Sequence, residues 1–195
     1  MGEPTKKQLQ SESTRRKLIS VARRLFATKG YAGTSIEDIT TRAKVTRGAL
    51  YHHFSDKGEL FRAVFEQVEE ELVSRAAEAA SESSPDKRVE AAVEAFLDAC
   101  LDRDVQQVVL LDGFSVLGWE TASRIDEEYA LGSMQALLRL AMREGQIAEQ
   151  PVEPLALVLL GALNQAALAI ARADDLPAAR AQIGGTIQTL IRGLA

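Results

Sequence analysis

Two helix-start signals stand twelve residues apart, at Thr34 and Thr46, and they constrain this chain more than any other feature. Each allows only about two turns of helix before the next interruption. The backbone must therefore fold back on itself within GYAGTSIEDITTRAKVTRGALYHHFSDKGELF, residues 30–61. Thr34-Ser35-Ile36-Glu37 fits a capping box, with the Thr34 hydroxyl accepting the N–H of Glu37 and the Glu37 carboxylate accepting that of Thr34. Ile36, Ile39 and Ala43 then share one face. Lys44-Val45 is a short turn, and Thr46 caps a second helix that runs to Phe54 and turns Ala49, Leu50 and Phe54 inward. A third, longer helix starts directly after Ser55.

Two short helices joined by a tight turn form the helix-turn-helix layout, whose second helix is the one offered to the major groove of DNA. The side chains left outward on that helix suit the task. Arg47 can reach a guanine edge with two hydrogen bonds. Gly48 lets the helix approach the groove closely, and Tyr51, Lys57 and His52 or His53 offer donors to phosphate oxygens. Thr34 and Ser35 stand at a helix N-terminus whose free N–H groups favour an anion. Single surface Arg and Lys residues are usually only solvated; it is their combination on one short helix that points to DNA. Adjacent histidines project roughly 100° apart on a helix and do not converge, so no metal site is expected.

The formal net charge of −5 hides a division. Residues 1–60 carry 12 Lys and Arg against 6 Asp and Glu, whereas the remainder carries 11 against 22. A basic end on an acidic body suits docking of one face on DNA. Residues 1–12 read as a flexible basic arm, and MGEPTKKQLQSEST lacks an apolar signal region, so a cytoplasmic location is expected. Cys100 is the only cysteine, which excludes an intrachain disulfide and a thiolate metal cluster; a packing role in the core is expected over redox sensing. No nucleophile-base pair, metal-ligand spacing or phosphate loop points to an enzyme, and no cofactor is expected.

Because no alternating strand pattern is found, the fold is expected to be all-α, with a three-helix DNA-binding domain over residues 13–58 and a helical bundle over 59–195. Helix 1, Ser13 to Thr28, turns Leu18, Ala22, Leu25 and Phe26 inward and ends at Gly30. The helix after Ser55 buries Leu60, Phe61, Val64, Phe65, Val68 and Leu72, and joins both parts as one rod. Its first clear break is Ser81 to Pro85, with Ser84 capping the next helix, which runs to about Leu101. Further helices are expected over Asp104–Ser115, Ala122–Arg143, Leu155–Ala173 and from Pro177 onward.

Leu155–Ala173 is apolar and long enough to raise a membrane span, but Asn164, Gln165 and Arg172 weigh against it. Burial against its own domain and a partner copy is the expectation instead. Gly161, Ala162 and Ala166, with Gly184 and Gly185, allow close approach, so residues 154–173 and 177–194 read as a four-helix homodimer interface. A two-fold dimer implies a palindromic site with half-sites about one DNA turn apart, or somewhat more. LDGFSVLGW, residues 111–119, holds the only Trp and two helix-interrupting glycines. A pocket lined by Phe96, Phe114, Trp119, Tyr129 and Met134, with Asp112 or Asn164 as polar contacts, is one reading; taken singly, these aromatics read more readily as core.

From Arg15 to Phe61 the sequence closely resembles the tetracycline-repressor (TetR) family of bacterial transcription regulators. The matching residues are Gly30-Tyr31, Thr34-Ser35-Ile36, Ile39, Ala43, Val45, Gly48, Leu50-Tyr51, His53-Phe54 and Lys57, after an amphipathic first helix. His52 departs from the second aromatic that many members carry. The resemblance implies a homodimer whose helical C-terminal domain binds a ligand and dimerises. It also implies that Thr46, Arg47, Tyr51, His53 and Lys57 meet double-stranded DNA, and that the fourth helix is the lever between ligand and DNA. The expected function is a repressor released from its operator by a small-molecule effector; an activator, or a regulator answering to a protein partner, is the alternative. A purely structural helical dimer would leave Arg47, Gly48 and Tyr51 without a purpose.

Overall fold

A computed structural model describes residues 5–194, which form helices joined by short turns with no strand among them. The head consists of α1 (Lys6–Lys29), α2 (Ile36–Ala43) and α3 (Arg47–His53), and it runs without a linker into α4 (Lys57–Glu82). Helix α1 begins earlier than expected because Thr5 and Gln8 complete a capping box, with the Gln8 N–H donating to Thr5 Oγ1 at 3.3 Å and the Thr5 N–H to Gln8 Oε1 at 2.8 Å. Residues 6–12 are thus helix rather than flexible arm, and residues 1–4 of that expected arm lie outside the described residues.

The cap of α2 is shifted by one residue from the expected Thr34–Glu37 pair. Ser35 Oγ accepts the Asp38 N–H at 3.0 Å, and Asp38 Oδ2 accepts the Ser35 N–H at 3.1 Å. Thr34 is unavailable as a cap, since its hydroxyl donates to Gly30 O at 2.8 Å and the residue is buried. Lys44 closes α2 in the left-handed region (φ 52°), and Thr46 caps α3 as expected, accepting the Ala49 N–H at 3.1 Å.

After α4, Pro85–Lys87 forms a turn of 3-10 helix in which the Ser84 side chain makes no capping bond, and α5 (Arg88–Ala99) follows. The expected Asp104–Ser115 helix is instead a π-helical segment, Val105–Gly113, continuing as α6 (Phe114–Leu117) up to Gly118. The expected long helix to Arg143 is likewise divided: α7 (Trp119–Asp126), a π-helical stretch Glu127–Leu131, then α8 (Gly132–Arg143). Each π stretch seats more residues per turn than an α-helix and so re-aims the side chains that follow. Helices α9 (Val152–Ala171) and α10 (Leu176–Arg192) complete the bundle.

Buried residues form two clusters. One comprises α5, α8, α9 and α10, including Val93, Leu97, Leu138, Leu163 and Ile187. The other starts in the head, with Leu18, Phe26, Ile39 and Leu50, passes through Phe61 and Phe65 of α4, and continues into Val105, Val108 and Ile125. Packing therefore runs straight across the expected domain boundary at residue 58. An ion triad reinforces that joint: Arg23 of α1 donates to both Glu71 carboxylate oxygens of α4, at 2.6 and 2.7 Å, and to Asp104 at 2.7 Å.

At Gly113 the π-helical segment touches α4 so closely that an added Cβ would lie 2.5 Å from the Phe65 ring. Gly113→Ala should destabilise the chain by about 1–3 kcal/mol through overpacking. Gly132→Ala, at a helical position with open space around it, should be neutral or stabilising by up to about 1 kcal/mol. Urea unfolding midpoints of the two variants measure the contrast.

Candidate nucleic-acid interface and internal cavity

Helix α3 is anchored through Leu50 and Phe54, both buried, with the Arg15 guanidinium 5.3 Å from the Phe54 ring centroid. Its opposite face is open. Thr46, Arg47, Gly48, Tyr51 and His52 are exposed together, and a Cβ added at Gly48 would meet only Thr46 Oγ1, at 4.0 Å. Arg47 lies along Tyr51, donating to its hydroxyl at 3.3 Å with the guanidinium 5.5 Å from the ring centroid. His53 is half-buried, and burial, with His52 and Arg15 nearby, holds its pKa below the ordinary 6.5. At neutral pH it is an uncharged donor and acceptor. Ser35, at the α2 N-terminus, is exposed but its side chain is engaged in the cap.

Two expected contact residues are engaged within the protein. Thr34 is buried, with its hydroxyl turned into the loop. The Lys57 ammonium, expected on phosphate, donates instead to Tyr31 O and Thr34 O, both at 2.9 Å, and sits 4.0 Å from the Tyr31 ring centroid. A cation at a helix N-terminus is poorly placed for the helix dipole, and the two carbonyls compensate it. Tyr31 is fixed from the other side by Asp112 of the π-helical segment, whose carboxylate accepts the Tyr31 N–H at 2.7 Å. Gly30, at φ 70°, makes the turn that permits this approach.

In the bundle lies a partly open cavity of about 770 Å³, lined by α4 from Glu69 to Ser81, by α5, α8, α9 and α10, and by Asp126 and Ala130. Its walls are mostly Ala, Leu, Val and Met. Phe96, Met134 and Asn164 line it as expected. The other four expected lining residues do not: Asp112 is engaged with the head, Trp119 is 75% exposed and stacks on Phe114 at 4.9 Å, and Tyr129 packs against the other core cluster. The π-helical register turns this aromatic group away from the bundle interior.

Three carboxyls in the cavity wall escape sequence reasoning, Glu69, Asp126 and Glu144, of which Glu144 is paired with Arg88. Glu69 is 5% exposed, and burial, with Asp126 nearby, pushes its pKa up to about 8. Burial also raises Asp126, opposed by the Asn164 amide that donates to it at 2.6 Å. A signal for Glu69 was present: it stands four residues after Phe65 and three before Leu72, on the apolar stripe, but within a run of three glutamates. Cys100 is fully buried and its thiol is pushed up to about 12 by burial, then by Glu69, so it is an inert packing residue.

Comparison with known proteins matches residues 18–64 to the model of bacterial regulatory proteins of the tetR family and residues 87–194 to the tetracyclin repressor-like C-terminal domain. The crystal structure of a TetR-family transcriptional regulator from Pectobacterium atrosepticum superposes with a TM-score of 0.88 at 36% identity, over 98% of this chain and 97% of that one. The Transposon Tn10 TetC protein of Escherichia coli is 26% identical over 136 residues, 70% of this chain and 69% of its own. The HTH-type transcriptional regulator AcrR of Shigella flexneri is 43% identical over 60 residues, which span 31% of this chain and 28% of AcrR.

Lys57→Met keeps the stem and removes the ammonium, so it should lower stability by about 1–3 kcal/mol in urea unfolding. Glu69→Gln should act in the other direction and with pH. Between the ordinary 4.5 and about 8 the folded chain keeps the Glu69 proton while the unfolded chain loses it. Stability of the parent therefore falls as pH rises through that window, a slope that Glu69→Gln removes. The variant's advantage in urea midpoint should be small at pH 5 and largest at pH 8 and above.

Proposed function

Because the chain belongs to the TetR family of bacterial transcriptional regulators, we propose that it is a homodimeric repressor that leaves a palindromic operator when a small molecule fills its cavity. Its class is that of DNA-binding regulators, not enzymes. The observation that carries the finer reading is the single rod α4. It meets the head at Lys57 and forms a wall of a 770 Å³ cavity from Glu69 onward. A ligand that fits only one setting of α4 has the differential affinity that release from DNA requires.

The exposed face of α3 supplies the reading head, with Arg47 to base edges and Thr46, Tyr51 and His52 to phosphate. Gly48 leaves room for the groove, and His53 serves as an uncharged contact at its margin. The dimer reading rests on α9 and α10, where Leu157, Val158 and Leu190 are exposed and Gly161 and Gly185 have open space around them. A two-fold contact there covers the apolar face of α9 and sets two copies of α3 on successive turns of DNA. Action on a bacterial operator places the protein in the cytoplasm.

Selection of random duplex DNA by the purified protein, followed by sequencing, tests this reading. A palindromic motif is expected, with affinity falling steeply as salt rises. Absence of any enriched sequence at low salt, with and without cell extract, would overturn it. On the selected site, Arg47→Ala should cost about 1–3 kcal/mol and relax base preference at one position per half-site, as read by gel shift. Placing the operator upstream of a reporter gives the direction of regulation.

A further inference from the structure

One end of the cavity is acidic and lacks a counter-charge. Glu69 is buried and, among the described residues, no hydrogen bond reaches its carboxyl. Asp126 beside it has only the Asn164 amide. Burying two carboxyls in an otherwise apolar wall is costly unless a cation or donor joins them. Asn164 serves Asp126 alone and no resident cation joins the two: the only Lys, Arg or His among the described lining residues is Arg88, and it is paired with Glu144. From Glu69 to Ser81 the α4 wall extends about 18 Å, at about 1.5 Å per residue, and between these ends it presents Leu72, Val73, Ala76, Ala77 and Ala80.

We infer that the cavity takes an elongated lipophilic amine, its protonated ammonium group held between Glu69 and Asp126 and its apolar tail lying along α4 toward Ala80. The inference rests on the reading of the cavity as the effector site. An ammonium satisfies both carboxyls at once, with N–H donors for Glu69 and for the Asp126 oxygen that Asn164 leaves free. A carboxylate ligand would bring a negative group to an end that already holds two carboxyls and no cation. A neutral alcohol brings no charge to either carboxyl and one proton to donate, where an ammonium brings a positive charge and three. The apolar walls add affinity in proportion to the tail buried.

Titration calorimetry on the full-length protein with decylammonium, decan-1-ol and decanoate, each below its micelle concentration, tests the assignment. Decylammonium should bind tightest, and hexylammonium more weakly because its tail leaves part of the wall uncovered. Glu69→Gln and Asp126→Asn should each lower decylammonium affinity by about tenfold or more, while leaving decan-1-ol unchanged or improved. Glu69→Gln relieves the burial of a carboxyl, so that variant should fold at least as stably as the parent. Binding of decanoate or decan-1-ol as tight as that of decylammonium would overturn the inference, as would unchanged decylammonium affinity in both variants. Operator release, followed separately by gel shift, keeps the two readings apart. Decylammonium that binds through Glu69 but leaves the operator occupied supports the ligand class and overturns effector release. An operator released by some other compound, with no decylammonium binding, does the reverse.

Discussion

The N–H of Tyr31 goes to the Asp112 carboxylate and its C=O to the Lys57 ammonium, while its ring packs against Phe26 and Phe61 at 5.8 and 5.2 Å. One residue in the loop before α2 is thus gripped by an anion from the π-helical segment, a cation from the start of α4 and two core aromatics. Charge-assisted hydrogen bonds of this kind are stronger and more directional than neutral ones. They set where α2 starts, and α2 with its turn sets where α3 lies. The orientation of the exposed Arg47–Tyr51 face therefore depends on groups that themselves face away from it.

Helix α4 carries two opposite electrostatic problems. Near its start a lysine sits where the helix dipole disfavours a cation, and backbone carbonyls of the head answer it. Twelve residues later Glu69 sits in an apolar wall with burial raising its pKa, and no protein group among the described residues answers it. The first arrangement is closed and stabilises the joint; the second is open and favours a guest. Two residues beyond Glu69, the Arg23 triad keeps the rod tied to α1 through Glu71.

Much of the head was legible in the sequence because it obeys local rules. Leu18, Ala22, Leu25, Phe26 and the six α4 residues from Leu60 to Leu72 follow 3.6-residue periodicity, and all are buried. Thr46 caps α3 because little else competes for its hydroxyl. Thr34 misled for the opposite reason: a tertiary acceptor, Gly30 O, outcompetes the cap, and Ser35 with Asp38 fills the same chemical role one residue later. Lys57 looked like a solvent-facing cation, since sequence does not show that a loop 23 residues earlier brings Thr34 O within reach. In the bundle, the aromatic cluster around Trp119 was misplaced because π-helical turns break the periodicity on which facing is judged. The buried glutamate was masked by its acidic neighbours Glu70 and Glu71.

The core that holds Phe26 and Leu50 also holds Val105, Val108 and Ile125. In evolutionary terms, the reading head is not a cassette. A recombination joint placed at residue 58 would separate Phe61 and Phe65 from half of the side chains they were selected with, and Tyr31 from Asp112. Exchange of operator preference between such proteins is easier by substitution on the exposed face of α3 than by transplanting the helix-turn-helix whole. Specificity can then drift quickly while the joint beneath it changes slowly.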